Sequence, residues 1–184
     1  MKRVFISLTT KGSIDKAVEK LQAYKKELAD KSDEFAEALL SIGIESAKAN
    51  TGKYAGYIKF SKSFEHSEDG CTGILMATNG ARMVVEWYTD KARHNKRSYE
   101  VSPILLAEFG SGWLANVLWD VPGVGQGTMP NSYGHAADPD GWYWYDISGT
   151  KHHSIGEPPL YPMHSAAISM MVEIERIARE VFHG

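Results

Sequence analysis

Residues 13–60, SIDKAVEKLQAYKKELADKSDEFAEALLSIGIESAKANTGKYAGYIKF, change their periodicity once, and that change decides the fold. Up to Asn50 the apolar residues Ile14, Val18, Leu21, Leu28, Phe35, Leu39 and Ile42 recur at three, four or seven positions, the spacing of one helical face. Ser13 stands where an N-cap belongs, and Asn50-Thr51-Gly52 supplies a C-terminal stop. The spacing therefore predicts one long helix, or two with a break near Ser32-Asp33. Lysines and acids interleave on the remaining faces (Lys16, Glu19, Lys20, Lys25, Glu27), as on a solvated helix surface.

From Tyr54 onward the pattern is that of strands: Tyr57 to Phe60, Thr72 to Thr78 and Arg82 to Tyr88. Asn79-Gly80 carries the signal of a tight hairpin between the last two, because both residues tolerate positive φ. Working outward, Val4 to Leu8 reads as a short first strand, and Tyr99 to Phe109 as a strand or short helix entering the core. Met163 to Phe182 reads as a second helix with Ala167, Met170, Met171, Ile174, Ile177, Ala178 and Val181 inward. Trp142-Tyr143-Trp144-Tyr145 and Thr150 to His153 form a candidate hairpin around Asp146 to Gly149. The expected fold is α+β: an antiparallel meander packed against both helices, as one domain over residues 1–184. An aromatic, glycine-rich loop insertion occupies about 113–161.

The totals restrict function. The chain has 184 residues, 43% of them hydrophobic and 23% charged, which is the composition of a globular domain with a real core. A formal net charge of −3 gives no general attraction to phosphate, so nucleic acid would be met only through a local patch. Cys71 is the only cysteine, which excludes an internal disulfide and a cysteine-rich zinc site, and it reads as a small structural hydrophobe. The apolar run after Met1-Lys2-Arg3 is too brief for a secretory signal, and no stretch reaches the ~20 apolar residues of a membrane span. A cytoplasmic origin is expected.

Few residues could carry chemistry. His135, Asp138, Asp140, His152, His153 and His164 match no metal-ligand spacing, and Asp138-Pro139-Asp140-Gly141 lacks the later ligands of a calcium loop. Gly123-Val124-Gly125-Gln126-Gly127 lacks the lysine and the flanking strand and helix of a phosphate loop. No serine lies in a nucleophile elbow. No catalytic residue, cofactor or metal is expected. The aromatic concentration is more informative: Trp113, Trp119, Trp142 and Trp144 are four of the five tryptophans, and such residues anchor protein interfaces. They could equally roof their own domain, and a sugar platform is a further use of stacked rings. Lys91, Arg93, Lys96 and Arg97 form one basic loop, suited to a solvated surface or to an acidic neighbouring subunit. Acids outnumber bases from Tyr99 on, which suits head-to-tail stacking of unlike surfaces.

The order of these parts resembles the tail-component family of long-tailed bacteriophages and prophages, proteins described as tail-completion or head–tail joining proteins. Gly43-Ile44-Glu45-Ser46-Ala47-Lys48-Ala49-Asn50 ends the first helix, and Ala107-Glu108-Phe109-Gly110-Ser111-Gly112 precedes a proline-marked junction and the last helix. His135 to Trp142, His152 to Gly156 and Pro162-Met163 are similar to the form found in phages of Gram-positive hosts. The resemblance covers nearly the whole chain, although more than forty residues separate Gly112 from Pro158 where shorter members pass almost directly to the last helix. It implies a virion structural role in the host cytoplasm during assembly and then at the head–tail junction or tail. The implied partners are neighbouring phage connector and tail proteins and further copies in a homo-oligomeric ring. No membrane is implied, and nucleic acid only indirectly if the ring lines the DNA channel. Glu108, Phe109, Gly110 and Gly112 are the implied structural motif: glycines to turn the backbone, and a Glu108 carboxylate that needs a partner if buried. The competing class is a ligand- or metal-binding module, or an enzyme, using the loop around Trp142.

Overall fold

The computed structural model describes residues 12–67, 70–112 and 140–183. The expected first strand at Val4 to Leu8 lies outside them, as do Trp113, Trp119, His135, Asp138 and the glycine run at 123–127. The fold is α+β, with a long N-terminal helix, antiparallel sheets and a C-terminal helix.

Helix α1 spans Ser13–Ala49 without a break. Ser32, beside the break raised as the alternative, turns its hydroxyl back onto the Leu28 carbonyl at 2.8 Å and so stays compatible with the helix. The N-cap is Gly12 rather than Ser13, and no side chain caps it. At the other end Asn50 N–H returns to the Ala47 carbonyl, and the buried Thr51 hydroxyl donates to the Lys48 carbonyl at 2.7 Å. A single 3-10 turn, Gly52–Tyr54, then leads into the strands.

Strands β1 (Ile58–Ser67) and β2 (Gly70–Asn79) pair along their whole length, from Ile58 opposite Asn79 to Ser67 opposite Gly70. This corrects the expected turn at Asn79-Gly80. Gly80 N–H is taken by the Tyr57 carbonyl at 2.7 Å, and the chain then leaves for a different sheet instead of folding back on β2. That second sheet holds β3 (Met83–Tyr88), β4 (Lys96–Val101), β6 (Trp142–Tyr145) and β7 (Lys151–Ser154) in the order β4-β3-β6-β7. The single meander is therefore two separate antiparallel sheets. Tyr99 to Phe109 supplies both alternatives raised for it: the end of β4, then helix α2 (Pro103–Phe109). Ser102 caps that helix, and Pro103 sits in its first turn. Short strands β5 (Ser111–Gly112) and β8 (Gly156–Glu157) pair with each other, and helix α3 covers Pro162–His183.

The core divides in two. Tyr54, Ile58, Val101, Leu106 and Ala107 are buried together, with Met83, Val85 and Leu160 packed on them. The other part lies where α1 meets α3 and the β1–β2 hairpin, through Leu40, Ala47, Ala166 and Ile177. A Cβ on Gly43 would stand 2.8 Å from Met170 Sδ and 3.2 Å from Leu75 Cδ2, so glycine there sets how closely the three elements meet. Helices α1 and α3 run antiparallel: Ser46 and Ser169 hydroxyls lie 2.8 Å apart, and the Phe35 and Phe182 rings 5.8 Å apart. Thus α3 packs chiefly on α1, and α1 rather than both helices covers strands.

The expected inward stripe of α3 is corrected by its exposures. Ile177 is 3% exposed and Ala166 is fully buried, but Met171 is 69% and Ile174 49% exposed, and Ala167 is exposed too. The inward row is Ala166, Met170, Ile177 and Val181. Apolar residues occupy so much of this helix that spacing alone does not choose a face.

Candidate protein-interaction site

Hairpin β6–β7 forms because its turn is closed by one carboxylate. Asp146 accepts from Ser148 N–H (2.8 Å), Ser148 Oγ (2.5 Å) and Thr150 N–H (3.0 Å), and it contacts His152 Nε2 at 2.9 Å. The Ser148 and His152 bonds lead in holding its pKa well below the usual carboxylate range. On the strands, Trp144 stacks on His152 with centroids 4.3 Å apart, and Tyr143 lies on His153 at 4.6 Å. Lys151 Nζ stands 3.9 Å from the Tyr143 ring centre.

Of the residues proposed as interface anchors, Trp144 is half-buried against its own hairpin. Trp142 pairs through its backbone with Ser154. The most outward apolar groups of the hairpin are Tyr143, 60% exposed, and Ile147, 76% exposed. Neither was singled out as an anchor in the sequence, because alternation along a strand cannot tell which face a missing layer would have covered.

A depressed Asp146 pKa has a definite sign in a stability measurement. The ionised carboxylate stabilises the folded state fully above its unfolded pKa of about 4, and that contribution is lost as pH falls through the lower folded value. Asp146→Asn is expected to lower the melting temperature at neutral pH, with the gap to the parent closing as the medium is acidified. A gap that stays constant from about pH 7 to about pH 3 would show that the charge of Asp146 does no part of this.

The basic loop is closed by another aspartate. Asp90 accepts from His94 N–H (3.0 Å), Asn95 N–H (3.0 Å) and Asn95 Nδ2 (2.7 Å), and these bonds, that from His94 first, lower its pKa. Lys96 and Arg97, expected in the loop, are the first residues of β4. Lys96 Nζ lies 2.8 Å from Glu86, whose carboxylate raises the lysine pKa. Arg93, with φ +62°, donates to the Ile147 carbonyl at the tip of the aromatic hairpin. Loop and hairpin are thereby joined into one outer edge, and half the charge of the patch is engaged within the domain.

Glu108 finds its partners 55 positions away. Its two oxygens accept from Met163 N–H (2.8 Å) and His164 N–H (3.0 Å), so it caps the bare donors at the start of α3 and places negative charge at that end. Gly110 has φ +74° and ψ −162°, a region essentially reserved for glycine, and a Cβ there would collide with the Glu157 carbonyl. Gly112 pairs with Gly156 in the β5–β8 ladder. Glu157 also accepts from Tyr54 Oη at 3.0 Å and pairs with Lys53; burial first, then the nearby carboxylate, push the phenol pKa up. The motif is thus a clamp that fixes α2, β8 and α3 to one another. Phe109, its remaining member, is the last residue of α2.

The histidines do not converge. His152 and His153 are neighbours on one strand and face opposite sides; one meets Asp146, and the other contacts the Asp140 carbonyl at 2.6 Å. One cluster was invisible in the sequence: Asp33, His66 and Cys71, from three elements, bring ligand-type atoms within 4.8 Å of one another. This donor set is chemically suited to zinc. Burial first and then Asp33 raise the Cys71 pKa in the metal-free protein, so a metal bound there would have to displace the thiol proton.

Comparisons of the chain with protein-family models, with curated proteins and with solved structures find no match.

Proposed function

We propose that this chain is a virion structural protein of a tailed bacteriophage or prophage. It acts at the head–tail junction or in the tail, as a connector or tail-completion subunit, by assembling with neighbouring proteins. The resemblance of its sequence motifs suggests this role. The observation that carries it is the outer edge built by hairpin β6–β7 and the 90–95 loop, a pre-ordered surface with Tyr143 and Ile147 outward and Lys91, whose carbonyl lies near Gly149, at the hairpin turn. Aromatic groups held rigid before contact are the economical way to build an interface, since little side-chain entropy remains to be lost. Trp144, half-buried and stacked on His152, supports the same edge from within the strand.

The competing reading, a ligand or metal module around Trp142, has less to stand on. The two histidines of the hairpin are on opposite faces and are occupied in stacking and hydrogen bonds. A groove of about 470 Å³ lined by Lys48, Thr51, Ala55, Ile58, Lys59 and Phe60 contains no acid to pair with its lysines. Mass spectrometry of purified particles from the producing strain tests the assembly role. The expected result is this chain in several copies per particle; its absence from intact, infectious particles would refute the role.

A further inference from the structure

The far end of hairpin β1–β2 meets α1 through polar groups. Farther back the contact is apolar: a Cβ on Gly73 would stand 3.0 Å from Leu40 Cδ1 and 3.5 Å from the Ala36 methyl. Beyond it Glu65, His66, Ser67, Gly70 and Thr72 are all exposed, so burial does little to hold this end in place. His66 and Cys71 stand directly opposite each other in the antiparallel register, and their side chains therefore leave the same face of the hairpin. That face is turned to α1, because Lys62, four residues before His66 on β1, pairs with Glu37, one turn after Asp33.

Asp33 Oδ1 lies 3.4 Å from His66 Nδ1, the Cys71 thiol is hydrogen-bonded to Asp33, and the donor atoms of the three residues are all within 4.8 Å of one another. Among the described residues no lysine or arginine pairs with Asp33. A tetrahedral zinc ion with bonds of about 2.0–2.3 Å holds its ligand atoms roughly 3.3–3.7 Å apart. The Asp33–His66 separation already has that value, and the remaining ones need close by roughly an ångström at most, which rotation of an exposed imidazole can supply. Imidazole nitrogen and thiolate sulfur select zinc over magnesium and calcium, which take oxygen ligands.

We infer that Asp33, His66 and Cys71 bind one Zn2+ ion that pins the end of hairpin β1–β2 to α1. On binding, the ion replaces the thiol proton on Cys71 Sγ, and that proton passes to solvent. One carboxylate and one thiolate then balance the charge of the ion. Three protein ligands leave one tetrahedral position, and with the His66 side chain 62% exposed that position opens to solvent and takes a water. An ion held jointly by a helix and two strands favours the folded chain, so zinc and stability are linked. The site needs no partner protein and stands or falls separately from the assembly role.

Titration of the metal-depleted full chain with zinc chloride, and separately with cobalt chloride, tests it. One equivalent of zinc should bind, raise the melting temperature and slow amide exchange over 64–73, and a chelator should reverse all three. Cobalt should give the strong visible absorption of a tetrahedral ion together with a thiolate-to-metal charge-transfer band. His66→Ala, Asp33→Asn and Cys71→Ser should each weaken zinc binding more than about tenfold, since loss of even a supporting partner of a ligand costs about 10–100-fold. Cys71→Ser should also abolish the charge-transfer band. Because His66 is exposed, His66→Ala without metal should melt with the metal-free parent, which separates loss of binding from loss of fold. No zinc bound at about 0.1 mM, equal affinity in the parent and all three variants, a cobalt spectrum without the thiolate band, or binding that leaves exchange over 64–73 unchanged would overturn the inference.

Discussion

Alanine at Gly110 is expected to cost roughly 2–6 kcal/mol, enough to leave little folded protein at 37 °C, because strain and overlap act together there. The residue sits at φ +74° and ψ −162°, and its Cβ would run into backbone on the facing segment, the Glu157 carbonyl and Pro159 N at 2.9 Å. Backbone cannot swing aside as a flexible side chain can. To relieve the contact, 157–159 must move away from α2, which pulls on the bonds from Leu160 and Tyr161 N–H to the Ala107 carbonyl (2.7 and 3.1 Å) and on Tyr54 with Glu157. Urea denaturation measures it as a large drop in midpoint. A midpoint unchanged from the parent would mean that Gly110 is not the hinge of the clamp.

Ile177→Ala should be the most damaging truncation on α3, at about 2–5 kcal/mol, since the side chain is 3% exposed and a cavity would open on the inward face of the helix. Ile174→Ala, one turn earlier and 49% exposed, should cost less than about 1 kcal/mol. Equal costs at the two positions would contradict the orientation of α3. The pair is a sharp test because the spacing of the sequence favoured both as core.

What was legible in the chain was local. Asn50 to Gly52 marks the end of α1, and the turn around Asp146 marks the β6–β7 hairpin. In each case a short-range backbone requirement selects the residue. The misreadings share a different origin. Asn79-Gly80 satisfies a tight turn, but turn chemistry does not say which strand takes the neighbouring N–H, and the Tyr57 carbonyl takes that of Gly80. The stripe of α3 was misplaced because Ile168, Met171, Val172 and Ile174 are exposed apolar residues, so hydrophobicity ceased to mark the interior. Glu108 was recognisable as a carboxylate needing partners, but Met163 and His164 could not be named as those partners without the fold. The Asp33, His66 and Cys71 cluster gave no signal, since its members belong to α1, β1 and β2 and meet only through their packing. Trp113 and Trp119, the other anchors named in the sequence, lie outside the described residues.

The central claim is a structural role in joining or completing phage particles, and disruption of the gene in the producing phage or prophage tests it most directly. Electron microscopy of the induced lysate should show separate heads and tails, or tails of defective ends, with joined particles restored when the intact chain is supplied in trans. Normal, infectious, joined particles from the disrupted strain would contradict the account.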